Sequence, residues 1–229
     1  MLFRSRTFPR RADFSIDVDE AIAAVASLRP SIVIVTSPNN PTGTALPFDD
    51  IRAIADASLA AGAMVVVDEA YAEFRRAGVP SACTLLDEFP NLVVVRTMSK
   101  AFALAGARLG YAAVADPGVV QALMVVRLPY HLSAVTQAVA LTALAHADVL
   151  QAQVALLRDE RDALVAWLAE QGWEVVPSDA NFILFGRFAD RDRVWRGLLE
   201  RGVLIRQTGP DGWLRVTVGT PTENAMFRS

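Results

Sequence analysis

Residues 31–43 have the sequence S-I-V-I-V-T-S-P-N-N-P-T-G, in which a β-branched apolar run is followed at once by turn-forming residues. The run predicts a short buried strand over residues 31–36, and the turn formers predict a loop after it. Residues 48–61 then carry apolar side chains at helical spacing and are followed by a glycine, which predicts a helix that ends there. A strand, a loop and a helix in this order are typical of an α/β fold.

The same unit recurs along the first half of the chain. Apolar runs at residues 64–67 and 92–95 predict two further strands. Because continuous apolar strands alternate with helices, we expect a mostly parallel sheet with helices on both faces. Polar residues follow the three strands, namely Asn39-Asn40, Asp68 and Lys100. Ligands bind such sheets at the carboxyl ends of the strands, so Asn40, Asp68 and Lys100 are expected along one rim.

The second half has a different pattern. It predicts helices over residues 133–145 and 149–171, strands over 173–176, 181–185, 203–205 and 213–218, and a helix over 193–200. This mixture is typical of a smaller α+β unit. We therefore divide the chain into a partial large domain, residues 1–146, and a small carboxy-terminal domain, residues 147–229.

Composition excludes several classes of function. The chain is 53% hydrophobic and 21% charged, which suits a folded core. Its net charge of −3 predicts no general attraction to nucleic acid or to an anionic membrane. Cys83 is the single cysteine, so no internal disulfide is expected, and a cytoplasmic location fits. No apolar run approaches the length of a membrane span. His131 and His146 lack ligand spacing, so no metal site is expected.

Lys100 is the only lysine among the 22 lysine and arginine residues. Arginine cannot replace lysine where a neutral amine must attack a carbonyl, because the guanidinium stays protonated. Lys100 is therefore a candidate for covalent amine chemistry, although a single leftover surface lysine is the alternative interpretation. Thr97, Ser99 and Arg108 lie near it in sequence and are suited to bind a phosphate beside the amine. Pyridoxal phosphate has both an aldehyde and a phosphate.

Three motifs together resemble, in order and spacing, those of fold type I pyridoxal-phosphate-dependent aminotransferases. They are S-P-N-N-P-T-G at 37–43, D-E-A-Y at 68–71 and V-R-T-M-S-K-A-F-A-L-A-G-A-R-L-G-Y at 95–111. The resemblance runs from about Asp13 to about Asn224. Together with S-D-A-N-F-I-L-F at 178–185 and L-R-V-T-V-G-T-P-T-E-N at 214–224, the lysine motif is most similar to the histidinol-phosphate aminotransferases.

The resemblance implies a role for each residue of these motifs. Lys100 would bind the aldehyde of pyridoxal phosphate covalently and, once released, move a proton. Asp68 would face the pyridine nitrogen and keep it protonated. The other cofactor contacts would come from Asn40 and Tyr71 at the ring oxygen, and from Thr97, Ser99 and Arg108 at the phosphate. Solvated or structural roles are the alternatives for these side chains.

Two arginines are candidate substrate-binding residues. Arg215 interrupts an apolar strand, and alternation places it on the face opposite Leu214 and Val216. A buried arginine without an anion is costly, and the resemblance implies that the anion is the substrate α-carboxylate, with a structural salt bridge as the alternative. Arg206 resembles a family arginine near the far end of the substrate, where histidinol phosphate carries its phosphate. Asn181 matches a family motif, and we expect it mainly to fix a loop.

The expected activity is transfer of an amino group between histidinol phosphate and 2-oxoglutarate by ping-pong chemistry, within histidine biosynthesis. An aromatic amino acid aminotransferase or a threonine-phosphate decarboxylase of the same fold would share the cofactor motifs. A non-catalytic sensor module that binds pyridoxal phosphate is an alternative from another class.

The resemblance also predicts what this chain lacks. Members of the family are longer at the amino end, so we expect an amino-terminally truncated fragment of a homodimeric parent. Such a fragment would lack one wall of the cofactor pocket, expose apolar surface and bind cofactor poorly. A fragment that never folds stably is a further alternative.

Overall fold

The computed structural model describes residues 4–229 and shows two separate β-sheets with helices packed against them. The helices are α1 Val18–Leu28, α2 Phe48–Ala61, α3 Pro117–Val126, α4 Ala134–Ala145, α5 Ala147–Glu170, α6 Arg191–Glu200 and α7 Pro221–Arg228. The strands are β1 Ile32–Thr36, β2 Met64–Asp68, β3 Leu92–Thr97, β4 Gly110–Val114, β5 Glu174–Val175, β6 Phe182–Gly186 and β7 Trp213–Thr217.

The first sheet has the strand order β1-β2-β3-β4. Strands β1, β2 and β3 run parallel, and β4 pairs antiparallel to β3. The predicted mostly parallel α/β sheet is therefore confirmed. Strand β4 was not predicted, because its sequence, G-Y-A-A-V, has neither a β-branched run nor clear alternation.

One face of this sheet forms a core with α2. Ile51 and Ile54 of α2 are buried in the same cluster as Val65 and Val67 of β2. Asp68, the last residue of β2, lies between Thr36 of β1 and Val95 of β3 in the strand register. The core thus fixes the strand ends that carry the predicted polar residues.

The second sheet has the order β5-β6-β7 and is antiparallel throughout. All five residues of β6 are buried. Leu164 and Leu168 of α5 form one core cluster with Ile183 of β6 and Leu214 of β7. This cluster lies within the second unit, whereas Phe182 of β6 packs with Tyr71 and Phe74 of the first unit. The architecture agrees with the predicted smaller α+β unit. The division at residues 146 and 147 stays a proposal.

One prediction for the carboxy-terminal part is corrected, and one helix there was not predicted. The strand predicted over residues 203–205 is wrong, because Gly202 adopts a left-handed conformation and the Val203 amide bonds back to the Leu198 carbonyl of α6. Only Arg206 pairs with β7, as an isolated bridge to Arg215. Helix α7 was not predicted. It begins with a capping box in which Thr220 and Glu223 satisfy each other's backbone amides, and it includes Pro221 in its first turn.

Ion pairs and hydrogen bonds connect the two sheets. The buried Asp179 carboxylate, in the loop before β6, accepts from the Arg76 backbone amide and side chain at 2.9–3.0 Å. Arg161 of α5, 1% exposed, donates to the Phe74 and Ala180 carbonyls. The Asp179 amide also donates to the Gly43 carbonyl at 2.8 Å. These contacts place the loops after β1 and β2 against the second sheet.

No single helix within residues 4–229 is both long and apolar enough to cross a membrane. Helices α4 and α5 have the length and composition of a span only as a pair, and they meet at a bend of 73°.

Candidate active site

Three of the predicted site residues form a chain of hydrogen bonds between the two sheets. Asn40 lies in the loop after β1, Tyr71 follows β2, and Arg215 is on β7. The Asn40 side-chain amide donates to the Tyr71 hydroxyl at 3.2 Å, and Arg215 Nη1 donates to Asn40 Oδ1 at 2.6 Å. The structure thus brings together residues that are up to 175 positions apart in sequence.

Lys100 lies beside this chain of hydrogen bonds. Its Nζ is 5.5 Å from the centroid of the Tyr71 ring, within the range of a cation–π interaction. The Lys100 side chain is exposed and, in the part of the chain that the structure describes, forms no ion pair. Its amine is therefore accessible to a reactive carbonyl.

Asp68 contributes a carboxylate at the carboxyl end of β2. Its Oδ1 accepts from the Ala70 backbone amide at 3.0 Å. No cation within residues 4–229 pairs with it. Asp68 is half-buried, and its carboxylate has remaining lone pairs that can accept from a protonated ring nitrogen.

The predicted phosphate ligands share one loop but are only partly brought together. The Ser99 amide donates to Thr97 Oγ1 at 3.1 Å, so these two residues are in direct contact. Arg108 belongs to the same loop, in which the Thr97 hydroxyl donates to the Leu109 carbonyl. The Arg108 side chain contacts neither the Thr97 nor the Ser99 hydroxyl. The Arg108 side chain is exposed and Nη1 bonds only to the Ala105 carbonyl, at 3.4 Å.

The Arg215 guanidinium lacks an anionic partner in a partly buried position. It lies 4.6 Å from the centroid of the Phe182 ring, and that ring packs edge-to-face on Tyr71 at 5.1 Å. Its Nε is buried and has no hydrogen-bond partner among the described residues. Burial lowers the pKa of Arg215, the hydroxyl of Tyr71 opposes that change, and the charge of Arg206 adds to it. An anion at this position would relieve the cost of the buried charge.

Arg206 is held next to Arg215 by the backbone. The two residues exchange both backbone hydrogen bonds, at 3.0 and 2.9 Å, so their side chains are cross-strand neighbours on one face. Like charges directly opposite each other destabilise a sheet, and an anion bound between the two guanidiniums would offset that repulsion.

Sequence reasoning missed two residues that shape this region. Phe182 packs against both Arg215 and Tyr71. The sequence analysis did not single it out, although its position directly after Asn181 in the S-D-A-N-F-I-L-F motif could have indicated it. Glu69 follows Asp68 directly and is fully buried, a property that an isolated sequence does not reveal. Asn181 donates no side-chain bond in the described structure, and its carbonyl accepts from the Val218 amide at 2.9 Å.

The available groups fit pyridoxal phosphate by their chemistry. Within residues 4–229, Asp68 forms no ion pair. Four cations of the site also have no carboxylate partner there, namely Lys100, Arg108, Arg206 and Arg215. An accessible amine suits an aldehyde, an unpaired carboxylate suits a pyridinium, and hydroxyls with arginine suit a phosphate. Across residues 4–229, no group of three histidine, cysteine, aspartate or glutamate side chains could hold a metal ion.

Comparison with known proteins agrees with this chemistry. Residues 3–228 match the family model described as aminotransferase class I and II. The chain is 66% identical over 220 residues to a histidinol-phosphate aminotransferase of Thermobifida fusca, covering 96% of this chain and 59% of that protein. It is 58% identical over 226 residues to histidinol-phosphate aminotransferase 3 of Burkholderia lata, covering 99% of this chain and 60% of that protein.

A solved structure has the same fold. The histidinol-phosphate aminotransferase of Sinorhizobium meliloti, determined in complex with pyridoxal-5'-phosphate, superposes with a TM-score of 0.84 at 28% identity. The match covers 98% of this chain and 62% of that one. The chain therefore spans about 60% of the length of the curated relatives it matches.

Proposed function

Because the chain belongs to the class I and II aminotransferase family, we propose that it is part of a histidinol-phosphate transaminase that uses pyridoxal phosphate. The protein would move an amino group between histidinol phosphate and 2-oxoglutarate in histidine biosynthesis. The observation that carries the proposal is the position of the only lysine. The exposed Lys100 amine lies 5.5 Å from the Tyr71 ring, beside the Asn40–Arg215 hydrogen bond. The names of the 66% and 58% identical relatives support the substrate assignment.

Each side chain has a distinct task in this proposal. Pyridoxal phosphate, when bound, supplies an aldehyde that captures amines and a ring that withdraws electrons from the carbon bearing the amine. Lys100 in its neutral form would hold the cofactor through its aldehyde carbon, with loss of water, and once displaced by the substrate amine it would take up and return a proton. Asp68 holds the proton on the ring nitrogen. Tyr71 and Asn40 donate toward the ring oxygen, and their mutual hydrogen bond at 3.2 Å keeps both donors in place.

Thr97, Ser99 and Arg108 are proposed to bind the phosphate of the cofactor. Thr97 and Ser99 are already in contact through the Ser99 amide. Arg108 would add charge and two parallel donors, which requires its exposed side chain to turn from the Ala105 carbonyl.

Arg215 and Arg206 are proposed to bind the substrates. 2-Oxoglutarate and glutamate carry two carboxylates, whereas histidinol phosphate carries a phosphate and no carboxylate. Adjacent guanidiniums can pair with either kind of anion, because both anions accept two parallel hydrogen bonds. The unpartnered, buried Nε of Arg215 supports this role.

The complete protein is proposed to be a cytoplasmic homodimer with small-molecule substrates. Large apolar side chains are exposed on this chain, including Val125 at 75% and Tyr130 at 99%. Apolar surface of this kind is typical of positions that another segment or subunit covers. The molecular mass in solution of a chain of the relatives' full length tests the dimer.

The central experiment compares the visible absorbance of the protein with added pyridoxal phosphate for wild type, Lys100→Ala and Lys100→Arg. We expect a band in wild type that both variants lose, because arginine keeps the charge but cannot provide a neutral amine. Borohydride reduction followed by peptide mass analysis should place the cofactor on Lys100. A band that survives in Lys100→Ala, with the label elsewhere, would overturn the proposal.

Turnover separates the proposed reaction from its alternatives. In a chain of the relatives' full length, histidinol phosphate should be consumed faster than phenylalanine. The reverse order would favour an aromatic amino acid aminotransferase, and release of carbon dioxide from threonine phosphate would favour a decarboxylase. Cofactor binding without any turnover would favour a sensor. This 229-residue chain alone is proposed to bind cofactor weakly and to turn over slowly or not at all.

A further inference from the structure

A fully buried carboxylate lies directly beside the proposed site. Glu69 is 0% exposed and follows Asp68, which ends β2. Both oxygens of the Glu69 carboxylate accept hydrogen bonds, from arginine side chains, a backbone amide and a serine hydroxyl. The donors to Oε1 are Arg75 Nη1 at 3.0 Å and the Ala82 amide at 2.7 Å, and the donors to Oε2 are Arg96 Nε at 2.9 Å and Ser81 Oγ at 2.7 Å. Arg96 Nη2 also lies 2.7 Å from Oε2 as an ion pair and donates to Ser81 Oγ at 2.9 Å.

The position of Glu69 links the ends of two strands. Its backbone amide donates to the Val95 carbonyl of β3 at 2.9 Å, and its carboxylate binds Arg96, the next residue of β3. Thr97 follows Arg96 and ends that strand. Successive side chains of an extended segment point to opposite faces, so Asp68 can face the site while Glu69 faces the interior.

The two arginines also hold the segment that carries Tyr71. Arg96 Nη1 binds Glu73 at 2.8 Å, and Arg75 donates to the Ala72 carbonyl at 3.0 Å. Burial lowers the pKa of Arg96, but the carboxylates of Glu69 and Glu73 outweigh that effect and raise it. Arg96 therefore stays charged, and two carboxylates balance two guanidiniums in the interior.

Such a network is weak evidence for stability, because desolvating the charges costs about as much as their attraction returns. Its directional contacts do fix geometry. Every contact of the Glu69 carboxylate goes to residues 75–96 and none goes to the proposed site. Asp68, a site residue, directly precedes Glu69, and Thr97 directly follows its partner Arg96.

We propose that Glu69 is a positioning residue, which acts through Arg75 and Arg96 to hold Asp68 and Tyr71 at the end of β2 in register with Lys100 beyond the end of β3. This inference rests on the proposed function and adds a residue that does not touch cofactor or substrate.

Two backbone amides inside the site report this positioning without any cofactor. The Ala70 amide donates to Asp68 Oδ1, and the Ser99 amide donates to Thr97 Oγ1. Their hydrogen exchange should be compared in wild type, Glu69→Gln, Glu88→Gln and Ile51→Ala. Glu88 forms an exposed ion pair with Arg52, so Glu88→Gln makes the same chemical change at the surface. Ile51 is buried in the α2 core, and its truncation lowers stability without contacting Glu69.

We expect exchange at both amides to become about tenfold faster in Glu69→Gln, because buried guanidiniums that lose their charged partner favour local opening of the two strand ends. It should change little in Glu88→Gln, and in Ile51→Ala only by the amount that the loss of global stability explains. Glu69→Asp keeps the charge and should restore part of the protection. Capture of pyridoxal phosphate, measured by its visible band, should weaken about tenfold in Glu69→Gln alone.

Unchanged exchange at Ala70 and Ser99 in Glu69→Gln would overturn the inference, as would equal changes in Ile51→Ala at matched stability. Failure of the proposed function looks different. In that case even a chain of the relatives' full length captures no pyridoxal phosphate on Lys100, whereas the exchange measurements still decide the role of Glu69.

Discussion

The two sheets of this chain bury their apolar side chains to different extents. In the second sheet every residue of β6 is buried, and α5 and β7 complete the core around it. In the first part of the chain Ile34 of β1 is 69% exposed, and Val126 of α3 is 76% exposed. Helix α3 has no buried residue at all.

This difference shows that an apolar segment is not necessarily covered by other residues of the chain. Continuous apolar strands such as β1 are typical of sheets that are covered on both faces. Strand β6 is covered by helix α5 of its own unit and by Tyr71 and Phe74 of the first unit, whereas the described residues leave apolar side chains of β1 and α3 exposed. The proposed site draws on both units. Arg215 comes from the closed unit, while Asn40, Asp68 and Lys100 come from the more open one. Its geometry therefore depends on the contacts that join the two sheets.

Among the test substitutions, as distinct from their controls, the largest effect is expected in the closed core. Leu214 is 0% exposed, so Leu214→Ala should lower the free energy of unfolding by about 3–5 kcal/mol through a lost side chain and a residual cavity. Leu204→Ala is the matched control, because Leu204 is 74% exposed in the same unit and should cost less than about 0.5 kcal/mol. Urea unfolding measures both. Equal losses would mean that the second unit is not the closed core described above.

A smaller loss is expected where the loop after β1 meets the second sheet. Gly43 has φ +80°, and a Cβ there would lie 2.4 Å from Ser178 Oγ. Gly43→Ala should therefore cost about 2–4 kcal/mol, from the left-handed conformation and the steric clash together. Gly78 has φ +85° with open space around it, so Gly78→Ala should show the conformational cost alone. If the two variants lose the same stability in urea, the Gly43–Ser178 approach does not constrain the junction.

The next effect depends on pH and concerns Asp179, which joins the sheets through Arg76. Burial acts to raise the pKa of Asp179, but hydrogen bonds and charge from Arg76 outweigh it and lower the pKa. The pair therefore adds stability above the unfolded pKa of about 3.9, and this stability is lost as pH falls through the lower folded pKa. Asp179→Asn should cost about 1–3 kcal/mol at neutral pH, and progressively less in acid.

Unfolding measured at pH 7 and at pH 3 checks this dependence. Asp56→Asn is the control, because Asp56 is exposed on α2 and forms no ion pair in the part of the chain that the structure describes. A difference between wild type and Asp179→Asn that grows in acid would contradict the direction of the pKa change.

Much of the fold followed from local patterns in the sequence. Helix α2 was predicted over residues 48–61 and occupies Phe48–Ala61, because its apolar spacing and the glycine after it are strong local signals. Local patterns failed in two places: strand β4 was not predicted, and the strand predicted over residues 203–205 is wrong. The first is stabilised by pairing with β3, and the second is displaced by a turn at Gly202. The pairing of β4 cannot be recognised in a short window of sequence, whereas Gly202 was a local turn signal that the strand prediction overlooked.

The candidate site was predictable in its positions but not in its contacts. Asn40, Asp68 and Lys100 could be found because each follows a strand, and the motifs supplied the other residues. The Arg215–Asn40 bond joins residues 175 positions apart, and the partners of Glu69 lie on separate elements. Such contacts arise from tertiary packing, which composition and periodicity do not specify.

The smallest effect is expected on the uncovered face. Val126 ends α3 and is 76% exposed, so Val126→Arg should change the free energy of unfolding by less than about 0.5 kcal/mol. A cation at a helix C-terminus is also favourable.

Val67→Arg is the control, because it makes the same change at a position that is 0% exposed and should prevent folding. Urea unfolding at several protein concentrations measures the effect. A loss for Val126→Arg that grows with concentration would mean that a second copy covers this face, whereas a large loss at every concentration would mean that the chain itself covers it. Either result would remove the contrast between the two sheets.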